Sequence, residues 1–127
     1  MRTMLIAALT VAIATTALCC WGVSYIDEAT DELSDLAIEL MHFAEAEDYE
    51  GAQDTITTMA SQWAKRRPIL EILTDHENLH TVTEHLVEGE VHLKHRNSND
   101  FYRSMALLDE ALRHIRDAEK LSPENLL

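Results

Sequence analysis

Residues 4–26 read MLIAALTVAIATTALCCWGVSYI, 23 consecutive positions without a charged side chain. As a helix rising about 1.5 Å per residue, this run is long enough to cross the roughly 30 Å hydrocarbon core of a bilayer. Trp21 and Tyr25 stand at its C-terminal end, where amphipathic rings suit a membrane–water boundary. Arg2 precedes the run, and Asp27, Glu28, Asp31 and Glu32 follow it. That asymmetry predicts a single pass through the cell membrane, with the N-terminus cytoplasmic and the chain after residue 26 extracytoplasmic. A cleaved signal peptide would have a shorter apolar core ending in a small-x-small site, which Cys20-Trp21-Gly22 fits poorly. A lipoprotein signal needs a small residue before the modified cysteine, where Leu18 and Cys19 stand. The expected organisation is therefore an uncleaved anchor over residues 1–26 and an acidic helical domain over residues 27–127, with inert packing favoured over acylation for Cys19 and Cys20.

The remainder is strongly acidic. Of 127 residues, 23 are acidic and 10 basic; all but Arg2 of these lie after Ile26, leaving 9 basic against 23 acidic side chains there, a net of −14. Such a surface is repelled by phosphate backbones and by anionic headgroups, so nucleic acid is excluded as a partner. Only three glycines and two prolines occur, too few for the turns of a barrel or sandwich. The polar part has no cysteine, hence no disulfide framework.

Apolar spacing resolves four helical stretches after the anchor. Leu33, Leu36, Leu40 and Phe43 continue the membrane helix to about Glu47-Asp48. Asp48 reads as the N-cap of a second stretch, striped by Tyr49, Ala52, Ile56, Met59 and Trp63. Lys65-Arg66-Arg67 fall in its last turn, favourable at the negative end of a helix dipole, and Pro68 closes it. A third stretch is expected from Ile69 to Arg96, with Ile69, Ile72, Leu73, His76, Leu79, Thr83, Leu86 and Leu93 facing inward, weakened at Gly89 by about 1 kcal/mol relative to alanine. Asn97-Ser98-Asn99-Asp100 signals a turn and cap. The fourth stretch carries Phe101, Met105, Leu108, Leu112 and Ile115 and ends at Ser122-Pro123, with Glu124 to Leu127 folding back or fraying.

A shift of 52 residues lays Asp48-Tyr49, Ala52, Ile56, Ala60 and Trp63 over Asp100-Phe101, Ser104, Leu108, Leu112 and Ile115. Each half reads as a longer helix, a cap and a shorter amphipathic helix. The predicted fold is all-α: an N-terminal transmembrane helix followed by a small bundle of two stacked αα-hairpins, with tetratricopeptide-like packing but without the signature residues of those repeats.

His76-Glu77-Asn78-Leu79-His80 matches H-E-x-x-H, in which two histidines one helical turn apart bind zinc and the glutamate activates water. A catalytic site needs a third protein ligand. The extended motif fails, because Thr83 and Leu86 occupy its glycine and histidine positions. Glu84 is the one nearby candidate, and His76, His80 and Glu84 along one helix would form a surface clip. The plainer expectation places His76 on the apolar stripe and makes His80 and Glu84 an exposed i, i+4 pair. His85, His92 and His95 lie further along, and the seven histidines leave open a metal- or pH-responsive module. No glycine-rich phosphate loop and no nucleophile elbow is present. Neither catalytic nor cofactor-binding residues are assigned, and no cofactor is expected.

The order of features resembles a known family: an N-terminal anchor, a Trp-containing amphipathic helix, Leu73-Thr74-Asp75-His76, an Asp-led helix, the run Leu112 to Ile115, and a closing Leu121 to Leu127. It resembles the short membrane-anchored bacterial proteins of domain of unknown function 4363, found largely in Firmicutes, over nearly the whole chain. That family usually has a second tryptophan near the position of Leu70 and an acidic residue near His80, which implies that the H-E-x-x-H match is accidental. The resemblance brings no activity. It implies as partner a membrane protein of another uncharacterised family, the YetF-like one. The expectation is a non-enzymatic, membrane-tethered module for protein–protein interaction or an accessory subunit of a membrane protein, with a small zinc hydrolase using His76, Glu77 and His80 as the alternative; the oligomeric state stays open.

Overall fold

The apolar run and the first polar helix form one element. In the computed structural model, which describes the backbone of residues 1–126 and the side chains of residues 1–118, α1 is unbroken over Arg2–Glu45. Its 44 residues extend about 66 Å. Residues 1–21 are all exposed, and burial starts at Gly22. From there Ile26, Ala29, Thr30, Leu33, Ala37, Leu40 and Ala44 form the α1 share of the core. α1 is the one helix among the described residues long and apolar enough to cross a membrane, and no residue of its apolar window is buried. Signal sequences share that length and composition.

Three further helices complete the fold: α2 (Tyr49–Leu73), α3 (His76–Lys94) and α4 (Ser98–Leu126). No strand occurs among the described residues. The second break differs from the sequence expectation. α2 passes through Pro68 and stops at Thr74, and Asp75 caps α3 by accepting from the Glu77 N–H at 3.1 Å. Pro68 forfeits one helical hydrogen bond, but ending the helix there would pull Leu70, which is fully buried, out of the core. Burial outweighs the lost bond, and the chain turns where an aspartate can cap. α4 likewise keeps helical backbone through Ser122-Pro123 to Leu126; a proline this near a helix end removes a single bond. The side chains of Glu124 to Leu127, expected to fold back or fray, lie outside the described residues.

The two hairpin loops are copies of each other. After α1, the Asp48 N–H bonds the Phe43 carbonyl at 2.9 Å and the Glu47 N–H that of Ala44 at 3.2 Å; after α3, Asn97 bonds His92 at 2.9 Å and Arg96 bonds Leu93 at 3.0 Å. These are paired Schellman closures. Their left-handed residues, Glu47 and Arg96, both have φ of 54°. Asp48 caps α2 through the Gly51 N–H at 3.0 Å, and Asn97 caps α4 through the Asp100 N–H at 3.3 Å.

The repeat is therefore real, but its offset is the 49 residues that separate Tyr49 from Ser98, not 52. Asp100 resembles Asp48 in sequence yet sits three positions inside its helix; Asn97 is the true cap. At this offset Thr30, Leu33, Ala37, Leu40 and Ala44 of α1 fall on Leu79, Val82, Leu86, Gly89 and Leu93 of α3. Ala52, Ile56, Met59 and Trp63 of α2 fall on Phe101, Met105, Leu108 and Leu112 of α4. Every one of these residues is buried. The equivalent residues Tyr49 and Ser98 meet each other, hydroxyl to hydroxyl, at 2.9 Å.

The hairpins stack into a ring in which α1 packs on α2, α2 on α3, α3 on α4 and α4 back on α1. Gly89 of α3 faces Met105 of α4, whose Cε would have to move to admit a Cβ there.

Candidate functional site

The H-E-x-x-H residues occupy the first turn of α3. His76 is the first helical residue and is exposed, not on the apolar stripe. Because the helix starts at His76, its inner face is Leu79, Val82, Leu86, Gly89 and Leu93. His80 Nε2 lies 3.8 Å from Glu84 Oε1, and both side chains are well exposed. Glu77 is exposed as well. Among the described residues no three His, Cys, Asp or Glu side chains come together as a metal-ligand set. His85 Nδ1 sits 3.4 Å from Glu88, again a pair within one helix.

The seams of the ring differ in a way the sequence does not announce. The offset of 49 residues makes α1/α4 and α3/α2 equivalent seams. The first is the most extensive in the bundle and the second the least. Across α1/α4, the Ser34 hydroxyl donates to the buried Asp109 carboxylate, which Arg113 Nε also approaches at 3.1 Å, and Arg116 pairs with Asp31. Across α1/α2, Arg66 donates to Glu32 at 2.7 Å, lies 3.7 Å from Glu28, and stacks 5.2 Å from the Tyr25 ring centroid. The bond to Glu32, and secondarily the contact with Tyr25, raises the Arg66 pKa above the ordinary arginine value. Across α2/α3 the one polar link is Trp63 Nε1 donating to Thr83 Oγ1 at 3.0 Å.

Beyond that link the α2/α3 seam gapes. A groove of about 490 Å³ runs between the two helices toward the Schellman loops. Ile56, Ala60, Val87 and Val91 supply its apolar lining, and Gln53, Thr57, Glu90 and Lys94 its polar rim. Val87 and Val91 are exposed although apolar. Their i, i+4 spacing off the main stripe was the available sequence signal. The buried Ser34–Asp109 pair and the Arg66 cluster had none, because each joins residues far apart in the chain.

The bundle that carries this groove coincides with a recognised unit. A family model described as Domain of unknown function (DUF4363) matches residues 20–126. The chain belongs to this family. The match begins two positions before Gly22, where burial starts, so the DUF4363 unit is the bundle and the part of α1 within it. Comparison with curated proteins and with solved structures finds no match.

Proposed function

We propose that this DUF4363 protein is a membrane-tethered helical module that acts by binding, not by catalysis, and that it docks a helix of another membrane or envelope protein in the α2/α3 groove. One observation carries the reading. Of two equivalent seams, α1/α4 is zipped shut and α2/α3 stands open over Val87 and Val91. An apolar trough between two helices accepts a third through anchors spaced i, i+3 and i+4. The apolar part of α1 serves as an anchor through its exposed residues 4–21. Arg2 on one flank and Asp27, Glu28, Asp31 and Glu32 on the other favour a cytoplasmic N-terminus and an extracytoplasmic bundle.

The test is a photo-crosslinking amino acid placed at Val91 in cells, with the same probe at exposed Asp117 of α4 as control. The YetF-like membrane protein is the first partner to examine. Its adduct is expected from position 91 and not from 117. Equal adducts from both positions, or none from 91, would remove the groove from the proposal.

A further inference from the structure

We infer that the corner between α2 and α3, with Ile72 at its tip, is a second membrane contact that seats the bundle directly on the bilayer; this rests on the reading of α1 as an anchor. Among the described residues after the apolar part of α1, Ile72 is the most exposed large hydrophobic residue, at 83%, against 54% for Val87. Its position explains why. Leu73 Cδ2 would lie 3.2 Å from a Cβ on Gly22, so the corner stands at the level where α1 enters the bundle. Half-exposed Trp21, one residue nearer the N-terminus, pairs with Tyr25 at 5.6 Å between ring centroids. One end of the molecule thus presents Trp21 and Ile72 together, around the helix that would leave it for the lipid.

Length supplies the second argument. Residues 4–21 are all exposed, whereas Gly22 and Ile26 are buried in the bundle, so residues 4–21 are the part of the apolar run free to meet lipid on every side. Those residues span about 27 Å as a helix, slightly less than the roughly 30 Å hydrocarbon core. No spacer separates span from bundle, and a short span draws its flanking residues into the interface. The occupant of this surface is therefore lipid, continuous with the lipid around α1. The polar neighbours on the corner limit the depth: Asp75, His76 and Glu77 are exposed, and Glu71 is held by Arg67 at 3.0 Å. Ile72 enters the headgroup–acyl boundary and goes no deeper.

The full chain, with Cys19→Ala and Cys20→Ala, is reconstituted in phosphatidylcholine vesicles carrying a nitroxide at one introduced cysteine: Leu9→Cys, Ile72→Cys or Thr58→Cys, the last exposed on α2 far from the corner. Collision with oxygen and with a water-soluble nickel chelate is read by electron paramagnetic resonance. Circular dichroism confirms that each labelled chain is folded. The label at 72 is expected to lose most of the nickel collisions seen at 58 and to gain oxygen collisions, at a depth between 58 and 9. If 72 matches 58 while 9 is buried in lipid, the second contact is overturned and the anchor stands. If 9 is itself aqueous, the anchor reading fails and the inference falls with it.

Discussion

Ser34 of α1 donates its hydroxyl proton to the carboxylate of Asp109 on α4, 75 residues away and inside the core. Both residues are buried, so water cannot replace either partner. Removing the donor leaves the carboxylate short of a bond, at about 1–3 kcal/mol for a hydrogen bond to a charged group. Ser34→Ala is therefore expected to lower stability by that amount, read from chemical denaturation of the full chain in detergent. Because Arg113 also holds Asp109 at 3.1 Å, Asp109→Ala frees two donors and is the costlier change. The double variant should show coupling of roughly 1 kcal/mol, as contacting residues do. Simple additivity would mean that the pair contributes nothing.

Glu47 adopts φ of 54° to close the first hairpin, a conformation that glycine reaches without a Cβ penalty. Glu47→Gly should raise stability by about 0.5–1 kcal/mol, seen as a higher melting temperature by circular dichroism. Arg96 has the same φ, but its guanidinium lies 5.3 Å from the Tyr49 ring centroid. Arg96→Gly should therefore gain less. An equal gain at both sites would show that the Tyr49 contact is worth nothing.

Val87 and Val91 line the groove and face solvent. Both are about half exposed, so substituting either by aspartate should change stability by only about 0.5–1 kcal/mol. Partner recovery from detergent-solubilised membranes should fall sharply, since docking would then desolvate a carboxylate in an apolar trough. Unchanged recovery with Val91→Asp in a folded chain counts against groove docking.

His80 and Glu84 meet at 3.8 Å on an exposed helix face. Pairs of this kind contribute about 0.3–0.5 kcal/mol at most. His80→Ala should be nearly silent in thermal melts, and the purified chain should hold well below one zinc per molecule with or without the substitution. Stoichiometric zinc that disappears with His80→Ala would revive the metal readings built on His76, His80 and Glu84.

The sequence determined by itself what depends on neighbours in the chain. Helix follows from apolar residues at spacings of three and four, as in Leu33, Leu36 and Leu40. The uncharged run of residues 4–26 makes the N-terminal part of α1 apolar all round. Asp48 caps because its side chain reaches Gly51 N–H, three residues on. Family membership was legible for the same reason, from the order of short motifs.

Tertiary structure decided everything that turns on a comparison between distant groups. Pro68 looks like a terminator locally, yet burial of Leu70 carries α2 past it to Thr74. His76 looks like a stripe residue until the helix is seen to begin there, which leaves it in solvent. Asp100 mimics Asp48, and only the matching Schellman loops show that Asn97 is the equivalent cap and that the repeat is offset by the 49 residues between Tyr49 and Ser98. The closed α1/α4 seam is where Ser34 meets Asp109 and Asp31 meets Arg116, contacts between residues far apart in the chain. Periodicity specifies which face of a helix is buried, but the partner of that face is selected by side chains that meet only once the chain has closed into a ring.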